Sequence, residues 1–255
     1  MRRIFPAIAL ALLVRIPSRG DPVAVRHPEG TLHGFLTLSS AEGAALADGD
    51  LFQTVHAARV TSRLVFRFHD GSVQDETVVF TQEGTFRMVS DHLVQHGPAF
   101  PRPMDVTIDP ASGRVTVRTT EDGREKTYDE RMDLPPDLAN GMVLVLVKNL
   151  RPGAARSTLS MVAATPSPRL VKLVLAPSGK VPFTIGRSAR RAIRYVVKVE
   201  LGGFAGAVAP LVGKQPPDSY VFILPGEAPA FVRSLAPMFN GGPPWRIDLT
   251  SPVWP

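Results

Sequence analysis

Hydrophobic and polar residues alternate from Arg59 to Asp133, and turns rich in Gly and Pro interrupt the alternation. In Arg59–Phe68 (RVTSRLVFRF), Val60, Leu64, Phe66 and Phe68 share one side with Ser62, while Thr61, Arg63 and Arg67 take the other with one apolar residue, Val65. A period of two sets one side of a strand against apolar material and the other in water. His69-Asp70-Gly71 then turns the chain, because Gly accepts the positive φ of a tight hairpin. The pattern recurs over Ser72–Thr81, Thr85–Val94, Met104–Asp109, Arg114–Thr120 and Glu125–Asp133. Such closely spaced strands predict a large antiparallel sheet.

Strand patterns also precede and follow this ladder. Gly34–Ser39 and Leu51–Val55 flank an expected loop, Ala41–Asp50. Later strands are expected at Ser157–Ala163, Arg169–Leu175, Val181–Ile185, Ala192–Glu200, Tyr220–Leu224, Pro229–Leu235 and Trp245–Leu249. Leu134–Leu150 (LPPDLANGMVLVLVKNL) breaks the period of two. Asp133 suits a cap, the two prolines suit a first turn, and Asp137 complements a helix dipole, which together predict a helix over 136–149. That helix is apolar on nearly every side, so it must be buried on nearly every side. Met142–Val147 has the β-branched content of a central strand as an alternative. Gly202–Gly213 reads as a short buried helix or a lip over a cavity.

Wide sheets twist and curl. The expected fold is therefore mainly β: one large curved antiparallel sheet, a half-barrel, wrapped around one or two apolar helices. A hydrophobic content of 44% over 255 residues supports a single domain, taken as residues 31–255.

Residues 1–20 read as a signal peptide. Arg2 and Arg3 precede an apolar run, Ile4–Val14, that is too short to span a bilayer, which needs about 20 residues. Ser18-Arg19-Gly20 offers small residues for cleavage, so export to the bacterial periplasm is expected. The absence of cysteine excludes disulfides, thiolate metal sites and a cysteine nucleophile.

The formal charge is +6, with 23 Arg against 6 Lys. Much of it lies on outward strand positions such as Arg63, Arg67, Arg87 and Arg118. A solvated face and a transient contact with anionic membrane both fit this distribution. Arg187, Arg190, Arg191 and Arg194 form the densest cluster, but no nucleic-acid motif accompanies them.

Catalytic patterns are sparse. His92 and His96 share a strand face but stand too far apart to share a ligand easily, and zinc needs three or four converging groups. Ser90-Asp91-His92 contains triad residue types, yet adjacent strand residues face opposite ways. The pairs Asp75/Glu76 and Asp129/Glu130 alternate faces for the same reason. No nucleophile elbow, phosphate loop or dinucleotide fingerprint occurs.

LPPDLANGMVLVLVKNL (134–150), GKQPPDSYVFIL (213–224) and GGPPWRIDLTSPVWP (241–255) resemble motifs of an uncharacterised family of exported bacterial proteins. In architecture, the pattern is similar to the half-barrel of periplasmic lipoprotein carriers, which implies an acyl-binding cavity and assigns no residues.

The resulting expectation is a non-enzymatic envelope protein that binds or carries an amphiphilic, lipid-like ligand on a concave apolar face. Candidate lining residues are Phe66, Phe68, Phe86, Met142, Leu146 and Trp245. No cofactor, metal or nucleic-acid partner is expected. The alternatives are an interaction protein with a filled core, and a hydrolase in which two of His33, His56, His92 and His96 converge with Asp or Ser.

Overall fold

A computed structural model describes residues 22–151, 153–164, 167–185, 188–200 and 216–250. The expected signal peptide and the Gly202–Gly213 segment lie outside the described residues.

Eight strands come first: β1 (Leu32–Ser40), β2 (Ala45–His56), β3 (Arg59–Phe68), β4 (Val73–Glu83), β5 (Thr85–His96), β6 (Met104–Asp109), β7 (Arg114–Glu121) and β8 (Arg124–Arg131). One helix follows, α1 (Val143–Lys148). Six strands complete the chain: β9 (Ser157–Ala163), β10 (Arg169–Ile185), β11 (Ser188–Glu200), β12 (Ser219–Leu224), β13 (Ala230–Pro237) and β14 (Pro244–Leu249). All fourteen belong to one sheet, running from β8 stepwise to β1, then from β14 stepwise to β9. Every neighbouring pair is antiparallel, and β1 against β14 joins the halves, with Leu38 opposite Ile247.

The sheet is open, because the order ends at β8 and β9. It is also curved. β6 and β10 are ten strands apart, roughly 48 Å on a flat sheet, yet Ile108 and Leu173 lie in the same apolar cluster. That cluster draws residues from β3–β7, from β9–β12 and from Val145, Leu146 and Val147 of α1. A second cluster gathers Leu36, Leu38, Ala47, Phe66, Phe68, Phe100 and Trp245.

The helix is shorter than 136–149. Residues 137–140 lie along β9 instead. Ala139 N–H donates to Ser160 O at 2.9 Å, and Ser160 N–H donates to Asp137 O at 3.2 Å. The Asn140 amide donates to Val162 O and accepts from Val162 N–H, both at 2.9 Å. These bonds close an edge that would otherwise present unpaired backbone groups. Gly141, at φ 62, then turns the chain, and helical geometry begins only after it. At the opposite edge, β8 is highly charged and almost wholly exposed, which protects it in another way.

Two further boundaries differ from the sequence reading. β2 begins at Ala45, inside the expected loop, because Leu38 of β1 pairs Ala47. Arg169–Leu175 and Val181–Ile185 form one strand, β10, with a register irregularity between Pro177 and Lys180.

Candidate functional site

All six expected lining residues face inward and are buried, but they divide between the two clusters. Phe86, Met142 and Leu146 belong to the first, and Phe66, Phe68 and Trp245 to the second. None is more than 7% exposed. In the second cluster, Phe68 and Trp245 form an aromatic group with Phe100 and Phe239. The centroids of Phe68 and Trp245 are 5.3 Å apart, and those of Phe239 and Trp245 are 5.7 Å apart.

Phe239 links this group to open space. A cavity of about 300 Å³ is lined by Met104, Val117, Thr119, Ala164, Phe239 and Asn240, with Pro101, Arg102 and Gly241 completing its wall. Its origin lies in strand alternation: Val117 is fully buried and packs in the first cluster, with Met104 against it. Thr119 Oγ1 donates to Pro103 O at 2.8 Å, tying β7 to the loop that carries Arg102. Arg102 also borders a shallower, more polar cleft of about 580 Å³, bounded by Thr120, Glu121, Asp122 and Gly123. From the neighbouring strand β8, Lys126 and Tyr128 bond the Glu121 carboxylate at 2.5 and 3.0 Å. The Lys126 bond is the main reason its pKa lies below the usual range, and the Arg102 charge adds to it.

The inward face also carries a polar band where the apolar clusters diverge. Ser62, Gln74, Asp91 and Gln95 are all buried there. The Gln95 amide donates to Gln74 Oε1 at 2.6 Å and to Met238 O at 2.8 Å. Asp91 sits opposite Val78, and Glu76 lies two residues along β4 on the same face. Asp91 Oδ1 has no hydrogen-bond partner among the described residues. Burial raises the Asp91 pKa well above the usual value, and the Glu76 charge raises it further. Burial brings Glu76 to about 7. By surface area Glu76 is half-buried, whereas Asp91 is 2% exposed, so Asp91 is the better isolated of the two.

Outward carboxylates behave oppositely. Asp75 accepts two hydrogen bonds from Arg63, at 2.9 and 2.5 Å, and its pKa falls. Asp129 is held the same way by Arg114. Asp50 accepts from Arg67 at 2.8 Å and lies 2.9 Å from His33 Nε2, with the His33 contact lowering its pKa most. The outward arginines are thus largely matched by aspartates on adjacent strands. Val65, the apolar exception on this face, is 3% exposed and sits between Asp50 and Asp75 in the ladder.

The histidines do not gather. His92 Nε2 lies 3.1 Å from Asp105, while His33 is four strands away on β1. Asp91 faces inward and His92 outward, as alternation requires. Among the described residues, no three His, Asp or Glu side chains cluster as a metal site.

One polar group was invisible in the local pattern. Lys172 Nζ donates to Ser160 Oγ at 2.7 Å, and Ser160 Oγ donates to Asp137 Oδ1 at 2.9 Å. A serine beside a lysine is a known nucleophile arrangement. Here Ser160 is 0% exposed and both partners hold the 137–140 segment on β9, so the trio acts as an anchor. Its members lie 12 and 23 residues apart, too far for any local motif to connect them.

No family model matches the chain, and no curated protein sequence matches it. Among solved structures, it is similar to the crystal structure of a β-barrel-like protein of domain of unknown function DUF1849 from Brucella abortus. That comparison gives 12% identity and a TM-score of 0.45, covering 89% of this chain and 99% of that one.

Proposed function

We propose that this is a non-enzymatic binding protein of the bacterial envelope that takes up a small amphiphilic, lipid-like anion. The observation that carries the reading is the cavity of about 300 Å³ beside Arg102, a size at the lower limit of small-molecule pockets. Met104, Val117, Ala164 and Phe239 offer an apolar wall for an acyl segment. Arg102 and Asn240 offer a cation and an amide for its head. None of the six expected lining residues is in its wall; among them Trp245 packs against the wall residue Phe239, with ring centroids 5.7 Å apart. Dodecanoate titrated by calorimetry tests this. Binding is expected for the wild type, weaker for Arg102→Gln and lost in Ala164→Trp, which fills the cavity. Absence of binding to the folded wild type overturns the reading.

A second reading, an interaction protein, draws on a different observation. His33 stacks on Phe52 at 4.3 Å and meets Phe35 at 4.4 Å, with Phe35 51% and Phe52 40% exposed on the outer surface. If this patch mediates self-association, Phe35→Ser/Phe52→Ser lowers the sedimentation coefficient to that of a monomer.

A further inference from the structure

Charge is distributed very unequally along the chain. Residues 138–199 contain 11 Lys and Arg and no Asp or Glu. Four of these cations reach carboxylates from outside the stretch: Lys148 to Glu29, Lys172 to Asp137, Arg156 to Glu200 and Lys198 to Asp218. Among the described residues, Arg151, Arg169, Lys180, Arg190, Arg191 and Arg194 reach none, and the last four lie on β10 and β11.

These four share one structural element. β10 pairs β9 only over Arg169–Leu175, and β11 pairs β12 only over Ile193–Val197. Beyond those limits, Val181–Ile185 and Ser188–Ala192 pair only with each other, and Lys180, opposite Ile193, stands at the base of that stretch. The result is a two-stranded ribbon that outruns its neighbours. Arg191 stands opposite Pro182 and Arg190 opposite Phe183, and Lys180, Arg190 and Arg191 are exposed.

Neutral partners hold some of these cations. Arg191 Nη2 donates to Lys180 O at 3.2 Å. Arg194 Nε donates to Ser178 Oγ at 2.8 Å, and its guanidinium lies 5.7 Å from the Tyr220 ring centroid. Such contacts orient a guanidinium without cancelling its charge. The paired outer arginines Arg63 and Arg118, facing Asp75 and Asp105, offer the contrast.

We propose that the free end of the β10–β11 ribbon, through Lys180, Arg190 and Arg191, docks on a membrane surface rich in anionic phospholipid headgroups. Charge complementarity selects an anionic partner. Exposed Pro182 and Ala189 lie among the cations, as suits a headgroup layer rather than bulk water. Nucleic acid is disfavoured because the ribbon's one aromatic, Phe183, already lies under Arg233, with the guanidinium 5.3 Å from its centroid. A strand-binding surface needs free aromatic platforms. Residues 180–194 contain no Asn or Gln to read base edges either. Lys180, Arg190 and Arg191 take no part in the wall of the cavity.

The test is flotation of the full chain with phosphatidylcholine vesicles with and without about 30 mol% phosphatidylglycerol, at low salt and at about 0.5 M salt, where screening is strong. The protein is expected to float with the anionic vesicles at low salt only. Each surface cation near such a membrane is worth about fivefold in partitioning. Lys180→Gln/Arg190→Gln/Arg191→Gln should therefore weaken flotation about a hundredfold, on the order of the product of three such factors. Arg63→Gln/Arg118→Gln should change it less than about twofold, because those charges are matched. The far-ultraviolet circular dichroism of both variants should equal that of the wild type. Equal flotation of the triple variant and the wild type overturns the proposal. So does equal flotation with neutral vesicles, an equal loss in the Arg63/Arg118 variant, or tighter binding to short duplex DNA than to anionic vesicles.

Discussion

Gly141 carries the chain so close over Asp91 that a Cβ at position 141 would stand 3.0 Å from Asp91 Oδ1 and 2.8 Å from Val78 Cβ. Its φ of 62 is also a conformation that side-chain-bearing residues rarely adopt. This contact seats the start of α1 on the inner face of β4 and β5. Gly141→Ala should destabilise the protein by about 2–4 kcal/mol, the sum of backbone strain and overpacking. Urea denaturation measures it. A loss below about 1 kcal/mol would mean that the segment readily moves away from the sheet.

The same Asp91, with Glu76, should give the protein an unusual dependence on pH. Both carboxyl groups have raised pKa values in the folded state, Glu76 to about 7. Between roughly pH 4.5 and 7 the folded chain therefore binds more protons than the unfolded chain. Stability is greatest toward the acid side of that window and falls as pH rises through it. Below about pH 4 the sign reverses, because Asp50, Asp75 and Asp129, whose pKa values are lowered, lose their pairing as they protonate. For a half-buried Glu76 the loss between pH 5 and 7.5 is on the order of 2 kcal/mol. Tm scanned against pH should peak near pH 5. Asp91→Asn should raise Tm at pH 7.5 and flatten the descent, and an unchanged profile in that variant would refute the assignment.

Lys148 and Glu29 form a buried pair at 2.6 Å, with side chains 17% and 6% exposed. Glu29 also accepts from the Gln53 amide at 3.2 Å. Removing one member strands the other, so Lys148→Met should cost about 3–5 kcal/mol. Lys148→Met/Glu29→Gln should recover most of that, because no charge is then left unpaired. A double variant as unstable as Lys148→Met would show that the pair contributes through packing instead.

The strand ladder was legible because each strand carries its own alternation and turn. Arg59–Phe68 and Met104–Asp109 agree with β3 and β6 at both ends, and Ser157–Ala163 agrees with β9. That Asp75 and Glu76 take opposite faces follows from a period of two. The helix was overextended because an apolar run does not report competition from a distant strand, and Ser160 and Val162 claim residues 137–140 through long-range bonds. The cavity was illegible for a related reason. Its wall joins Arg102, Val117, Ala164 and Phe239, which only the curvature of the whole sheet brings together. The expected aromatic residues were identified as inward-facing, but inward-facing residues line a pocket only where packing is incomplete.

Asn149 shows how the segment ahead of β1 is held, and gives the last test. Its Oδ1 accepts from the backbone N–H groups of Arg26 and His27, at 2.9 and 2.7 Å, and its amide donates to Val145 O at 3.0 Å. The side chain is 1% exposed, so water cannot easily replace these bonds. A second latch holds the same segment: Gln82 Oε1 accepts from Glu29 N–H at 2.6 Å, and the Gln82 amide donates to Glu29 O at 3.0 Å. Asn149→Ala leaves two backbone donors without partners and should cost about 2 kcal/mol. Because Gln82 still holds Glu29, the loosening should be local. Hydrogen exchange should accelerate at Arg26 and His27 well before it does in β4 and β5. Uniform acceleration across the sheet would instead mean that Asn149 supports the core through α1, and that the segment ahead of β1 is held chiefly by its other bonds.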